Sequence, residues 1–122
     1  NENLIVNILN QDYKEYESIL IPLFKNNKID GVIATGESAA IAAMKAGLKS
    51  GLEIPKNLSV IAFSNGILAR HSSPKMTTIS QHGEQMGEAA AQILIDKLEK
   101  KLKETVTKVI KTDLVIRDSA KL

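Results

Sequence analysis

The stretch from Asp30 to Asn65, DGVIATGESAAIAAMKAGLKSGLEIPKNLSVIAFSN, constrains the fold more than any other part of the chain. It reads as strand, tight turn, alanine-rich helix, Gly/Pro stop and second strand. Val32-Ile33-Ala34 and Leu58–Phe63 are short and almost wholly apolar, which suits strands buried on both faces of a parallel sheet. A crossover helix of about a dozen residues makes that pairing parallel. Both strands then end on one edge of the sheet, at Thr35-Gly36-Glu37 and at Ser64-Asn65-Gly66. Open α/β sheets bind ligands outside the carboxyl ends of their strands, so a site is expected there.

The flanks extend the same pattern. Leu4–Leu9 is an apolar run of strand length. Asp12 with Glu15 three residues on forms a capping-box pattern, opening a helix whose apolar face is Tyr16, Ile19, Leu20, Leu23 and Phe24. Pro22 removes a backbone donor inside that face, which predicts a kink or early break near Ile21. Gly51 stands where the next helix needs a left-handed cap, and Pro55 stops its continuation. Ser64–Lys75 is polar and irregular, and Met76–Ser80 is a brief β-prone run. Gly83–Leu102 gives the longest helix, with Met86, Ala90, Ile93, Leu94 and Leu98 in register. Val106–Ile116 alternates as a half-buried strand, with Thr107, Lys111, Asp113 and Arg117 on its polar side. Strands alternating with helices predict a doubly wound three-layer α/β/α fold with a mainly parallel sheet.

Composition narrows the function. A net charge of +2 on 122 residues is too small to argue for direct binding of nucleic acid or an anionic membrane. The lysines at 97, 100, 101 and 103 are interleaved with Glu99 and Glu104, as on a solvated helix end. Without cysteine there is no disulfide framework or thiolate metal site. No apolar run reaches the roughly 18 residues that a membrane span needs. The opening NENLIVNILN lacks the features of a signal peptide and has no initiating Met, which reads as a piece of a longer protein.

Phosphate-loop, dinucleotide, zinc-protease and nucleophile-elbow motifs are missing, so neither catalysis, nor a metal, nor a cofactor is expected. His71 and His82 have no carboxylate at ligand spacing and read as loop or surface residues. Ser72 and Ser73 lack a nucleophile turn. A phospho-acceptor receiver would need an acidic cluster where only Asp12 stands. The strand-end groups keep two readings each. Glu37 suits the positive end of its helix or a ligand, and Gly36 permits a turn or a close approach. Ser64 and Asn65 cap the next segment or donate to a polar ligand. Tyr13, opening its helix on the same sheet edge, packs locally or stacks on a ligand ring.

The Asp30–Asn65 stretch, followed by SPKMTTISQHGEQMGEAAAQIL and the closing TKVIKTDLVIRDS, resembles the C-terminal part of LacI/GalR-family transcriptional regulators. The likeness covers essentially the whole chain. It implies the C-terminal portion of a bilobal effector-binding module related to periplasmic sugar-binding proteins, over residues 1–122. A small molecule, typically a sugar, would sit between the lobes. A helix-turn-helix head outside this chain would bind operator DNA, in a cytoplasmic homodimer. Thr78–Gln81 resembles a crossing between lobes, and helix 83–102 one that packs on the absent N-terminal lobe. That leaves Met86, Ala90, Ile93 and Leu94 as an uncovered stripe. Carried over by position, the effector-binding residues are Tyr13, Gly36, Glu37, Ser64, Asn65 and Gln81. Ser64 stands where the family often has an aspartate and Gly36 where it has a polar side chain, so the effector is open. Two rivals remain: a periplasmic sugar receptor of similar fold, and a sugar-processing enzyme using Glu37 as its acid or base.

Overall fold

The computed structural model describes residues 4–8, 12–101 and 104–121. Four helices and four strands alternate: α1 Tyr13–Asn26, β1 Gly31–Ala34, α2 Glu37–Lys49, β2 Ser59–Ala62, α3 Ile67–His71, β3 Thr77–Ser80, α4 Gly83–Leu98 and β4 Asp113–Val115. The strands lie in the order β1-β2-β3-β4. The first two pairings are parallel and the last is antiparallel. This is the mainly parallel α/β sheet that the alternating pattern calls for.

The central βαβ unit forms as its residues dictate. Glu37 sits in the first turn of α2 and Lys49 in the last, each matching the helix dipole. Gly51 takes φ +84°, and the Leu52 and Gly51 amides return to the carbonyls of Gly47 and Leu48 at 3.0 Å each. That pair of bonds is the Schellman closure, which glycine adopts without a Cβ penalty. The alanines at 40, 42, 43 and 46 are buried, letting the helix lie close to the sheet. At Gly47 the approach is closest: a Cβ there would stand 2.6 Å from Leu58 Cδ2. Leu58, Val60, Ala62 and Met76 are fully enclosed in the same core as Leu20 and Phe24 of α1.

Several sequence expectations change. Leu4–Ile8 forms no strand, and Leu9 lies outside the described residues; a strand needs a paired neighbour, and β1 and Leu4–Ile8 share no ladder. The expected break near Ile21 does not occur, since α1 runs through Pro22 to Asn26. One lost hydrogen bond is outweighed where Leu20, Leu23 and Phe24 all pack on the core. Asp12 caps α1 through the Lys14 amide, 3.0 Å from Oδ1. β1 is not buried on both faces: Val32 and Ala34 face the core, but Ile33 is 74% exposed. The stretch after β2 holds the short helix α3. The last strand shrinks to Asp113–Val115, because β3 offers it only Thr78, Ile79 and Ser80 as partners. α4 ends at Leu98, while Leu102 falls outside the described residues.

The chain end stitches the sheet. Ser119 Oγ donates to the Val60 carbonyl at 2.6 Å and accepts from the Thr77 amide at 2.8 Å. Its backbone accepts from the Val60 amide at 2.8 Å and donates to the Lys75 carbonyl at 3.0 Å. Ser119 and Thr77 have no solvent exposure, so no water can replace a lost partner. Ser119→Ala is therefore expected to lower stability by about 1–3 kcal/mol, the cost of orphaning buried polar groups. A drop in the urea midpoint checks it; an unchanged midpoint would mean that the two strands do not depend on this hydroxyl.

Candidate functional site

The carboxyl ends of β1 and β2 lie side by side, because Ala34 and Ala62 are register partners. Gly36 follows β1 with φ −162° and ψ 167°, an extended conformation open to any residue, so no turn demands the glycine. A Cβ at Gly36 would meet nothing within 4 Å. The missing side chain leaves open space over the backbone.

Glu37 reaches across to the neighbouring strand end. Its carboxylate accepts from the Gly66 amide and, at 3.3 Å, from the Leu68 amide, satisfying the free donors at the start of α3. Gly66 admits this contact because a Cβ would fall 2.9 Å from both carboxylate oxygens. The charged group expected to face a ligand is thus engaged in holding two strand-end loops together.

Ser64 and Asn65 are half-buried beside that link. Asn65 Oδ1 accepts from Arg117 Nη2 at 2.7 Å and from Thr78 Oγ1 at 3.2 Å. Arg117 Nη1 also donates to the Met76 carbonyl at 2.7 Å and to Thr78 Oγ1 at 3.1 Å. The Thr77 hydroxyl exchanges hydrogen bonds with the Arg117 backbone, at 2.9 and 3.1 Å. This network fixes the orientation of the Asn65 amide. The Ser64 hydroxyl and the Asn65 amide nitrogen make no hydrogen bond to a described residue, and both remain able to bind. Gln81 is exposed where the chain leaves β3. Next to it, His82 takes a left-handed conformation (φ 52°) and its Nε2 lies 2.7 Å from Asp113 Oδ2, joining the start of α4 to β4.

Tyr13 makes no hydrogen bond to this group among the described residues. Lys45 Nζ stands 4.7 Å and Lys49 Nζ 5.9 Å from its ring centroid, so the ring packs on the later turns of α2 as a cation–π partner. Lys49 also pairs with Glu17. Of the six expected residues, the structure brings Gly36, Glu37, Ser64 and Asn65 together. Arg117 and Thr78 were missed: the alternation of Leu114 and Ile116 assigns Arg117 to the solvent side, whereas the guanidinium turns inward. The usable signal was Arg117-Asp118-Ser119 itself, a cation two residues before a serine that closes the sheet.

A cavity of about 320 Å³ is found elsewhere, between residues 4–8, α1 and β1. Among the described residues there is no cluster of three or more potential metal ligands, and no helix is long and apolar enough to cross a membrane.

Known proteins resolve what such a sheet edge belongs to. Residues 5–120 match the periplasmic binding protein-like domain. The chain belongs to that family. The HTH-type transcriptional regulator CelR of Thermobifida fusca is 31% identical over 91 residues, which are 75% of this chain and 27% of that protein. The ribose operon repressor of Halalkalibacterium halodurans is 34% identical over 93 residues, 76% of this chain and 28% of that repressor. The solved complex of the regulator CelR with cellobiose superposes with a TM-score of 0.80 at 28% identity, covering 88% of this chain and 33% of that one. The likeness to LacI-type regulators read from the sequence therefore holds, and the chain spans about a third or less of these three relatives.

The Tyr13 surroundings carry a pH prediction. Burial first, then the hydrogen bond to Glu17 and its charge, push the Tyr13 hydroxyl from 10.0 up to about 12. Hydrogen bonds from Lys49 and Tyr13 hold Glu17 below the ordinary carboxylate range. The folded protein retains the phenol proton longer than the unfolded chain, so the associated stability is complete below pH 10 and is lost as pH rises towards 12. Tyr13→Phe is expected to flatten that alkaline decline in urea midpoint. Parallel declines in both proteins would break the linkage.

Proposed function

We propose that this chain is the C-terminal effector-contacting part of a LacI-type transcriptional regulator. In that reading a small polar metabolite, of the sugar class, binds against Gly36, Ser64 and Asn65, with Gln81 near the crossing to a second lobe. The observation that carries it is a Ser64 hydroxyl without a hydrogen-bond partner among the described residues, next to an Asn65 amide held in place by Arg117, beside an open backbone at Gly36. Such groups hydrogen-bond hydroxyls without a charge. The likeness to a ribose operon repressor and to a cellobiose-bound regulator supports the sugar class.

The effector would bridge this lobe and an N-terminal lobe outside these residues, favouring one angle between them. That angle would set how a homodimer presents its DNA-binding heads to operator DNA, a coupling that must be reciprocal. Helix α4 belongs with the second lobe in this scheme: of the stripe Met86, Ala90, Ile93 and Leu94, three residues are exposed and Ile93 is half-buried, an apolar surface that suits a partner element. The regulator works in the cytoplasm, where its DNA is, and performs no chemistry, since Glu37 is engaged by the Gly66 and Leu68 amides. The HTH-type relatives favour this reading over a periplasmic receptor.

Thermal-shift measurements on the intact protein with cellobiose, lactose and ribose test it. A binding sugar at about 100 times its Kd adds about 2.7 kcal/mol to the folded state. Ser64→Leu is expected to remove that shift while leaving operator binding by the effector-free protein unchanged. An undiminished shift in the variant would remove Ser64 from the site.

A further inference from the structure

Asn65-Gly66 is the one place in the chain where glycine follows asparagine, and the hydrogen bonds made there have a chemical use. An asparagine side chain is open to attack at Cγ by the backbone nitrogen of the next residue, and a glycine there puts no side chain in the way. The attack needs a base for the N–H proton and donors for the charge that builds on the amide oxygen. It also needs a leaving group that nothing holds.

Each requirement has its residue. The Gly66 N–H donates to the Glu37 carboxylate, so the base already touches the proton to be removed. On the other side, Asn65 Oδ1 accepts from Arg117 Nη2 at 2.7 Å and from Thr78 Oγ1 at 3.2 Å. A cation and a hydroxyl thus meet the atom that becomes the oxyanion. The Asn65 amide nitrogen is bonded to no described residue, and both residues are half-buried, which leaves water a path to them.

We propose that Asn65-Gly66 is a self-modification site, where the Gly66 nitrogen displaces the Asn65 amide as ammonia with Glu37 as base and Arg117 and Thr78 as oxyanion donors. The bond from the Gly66 nitrogen to Cγ forms as Glu37 takes the proton. The tetrahedral oxyanion then collapses, the Cγ–Nδ2 bond breaks, and Glu37 returns the proton to the departing ammonia. One water opens the resulting cyclic imide to aspartate or isoaspartate. The step consumes only the chain's own amide and that water. Its product sets a carboxylate near the Arg117 guanidinium, a charge-assisted pair in place of a neutral acceptor, and lowers the net charge of +2 by one unit. It also removes the Asn65 amide donor from the effector wall, a consequence that rests on the effector reading; the chemistry does not.

Incubating the intact protein at neutral pH tests it, with the mass gained as O replaces NH located by peptide mapping. Folded protein is expected to convert Asn65 faster than the same protein in guanidinium chloride, which keeps the sequence but disperses the base and the donors. Glu37→Gln retains an acceptor for the Gly66 amide but no base, and is expected to slow the folded protein by about 100-fold, the lower end of a general acid–base contribution. Conversion no faster in the folded protein than in guanidinium would overturn the proposal. An undiminished rate in Glu37→Gln would overturn it as well. If Asn65 converts as expected while the converted protein keeps its full thermal shift with a sugar, the self-modification stands and Asn65 leaves the effector site.

Discussion

The sheet depends on a serine near its chain end. β2 and β3 share only two register pairs, Ile61 with Thr77 and Ala62 with Thr78. Below that short ladder Ser119 takes over, bonding to Val60 on one side and to Thr77 and Lys75 on the other. Two register pairs give β2 and β3 little cohesion of their own, although the buried face of the sheet already favours one register. Ser119 reinforces that register, because each of its bonds is directional and fully buried. Arg117 extends the same function upward by tying Met76, Thr78 and Asn65 together. The residues that hold the sheet together therefore also aim the amide at its carboxyl edge.

That edge divides its polar groups by role. Glu37 is the strongest acceptor near the strand ends, and it is engaged with the amides that open α3. Ser64 and the Asn65 amide nitrogen are left as neutral groups. A neutral hydroxyl and amide bond a partner through geometry more than through charge, at the lower strength of uncharged hydrogen bonds. The Schellman closure at Gly51 and the tight approach at Gly47 keep α2 fixed against β2.

The central βαβ unit was legible in the sequence because its information is local: periodic alanines, a glycine at the required cap, and apolar runs with turns at both ends. The elements that were misread depend on partners. Leu4–Leu9 has the composition of a strand, but a strand exists only with a neighbour to bond. Val106–Ile116 alternates over its whole length, yet β3 supplies only enough edge for Asp113–Val115. Ile33 was placed in a two-sided core that its exposure contradicts. At the candidate site, the strand-end positions of Gly36, Glu37, Ser64 and Asn65 follow from the βαβ pattern, while the inward turn of Arg117 comes from long-range hydrogen bonds that strand alternation does not show. The Tyr13 ring lies against Lys45 and Lys49 in the later turns of α2, a neighbourhood set by how α1 and α2 pack.

Two strands of chain leave the sheet together beneath α4. Ser80 and Asp113 are register partners, and His82 bonds the same Asp113 as α4 begins. The outgoing and returning segments are thus clamped to each other at the point where they depart. A single connection would let α4 swivel freely about its backbone torsions. A doubled one resists twist while still permitting bending, as a flat strap does. His82, with its left-handed backbone, stands where the two segments are tied, so its bond to Asp113 makes the exit of α4 a double attachment instead of a single one.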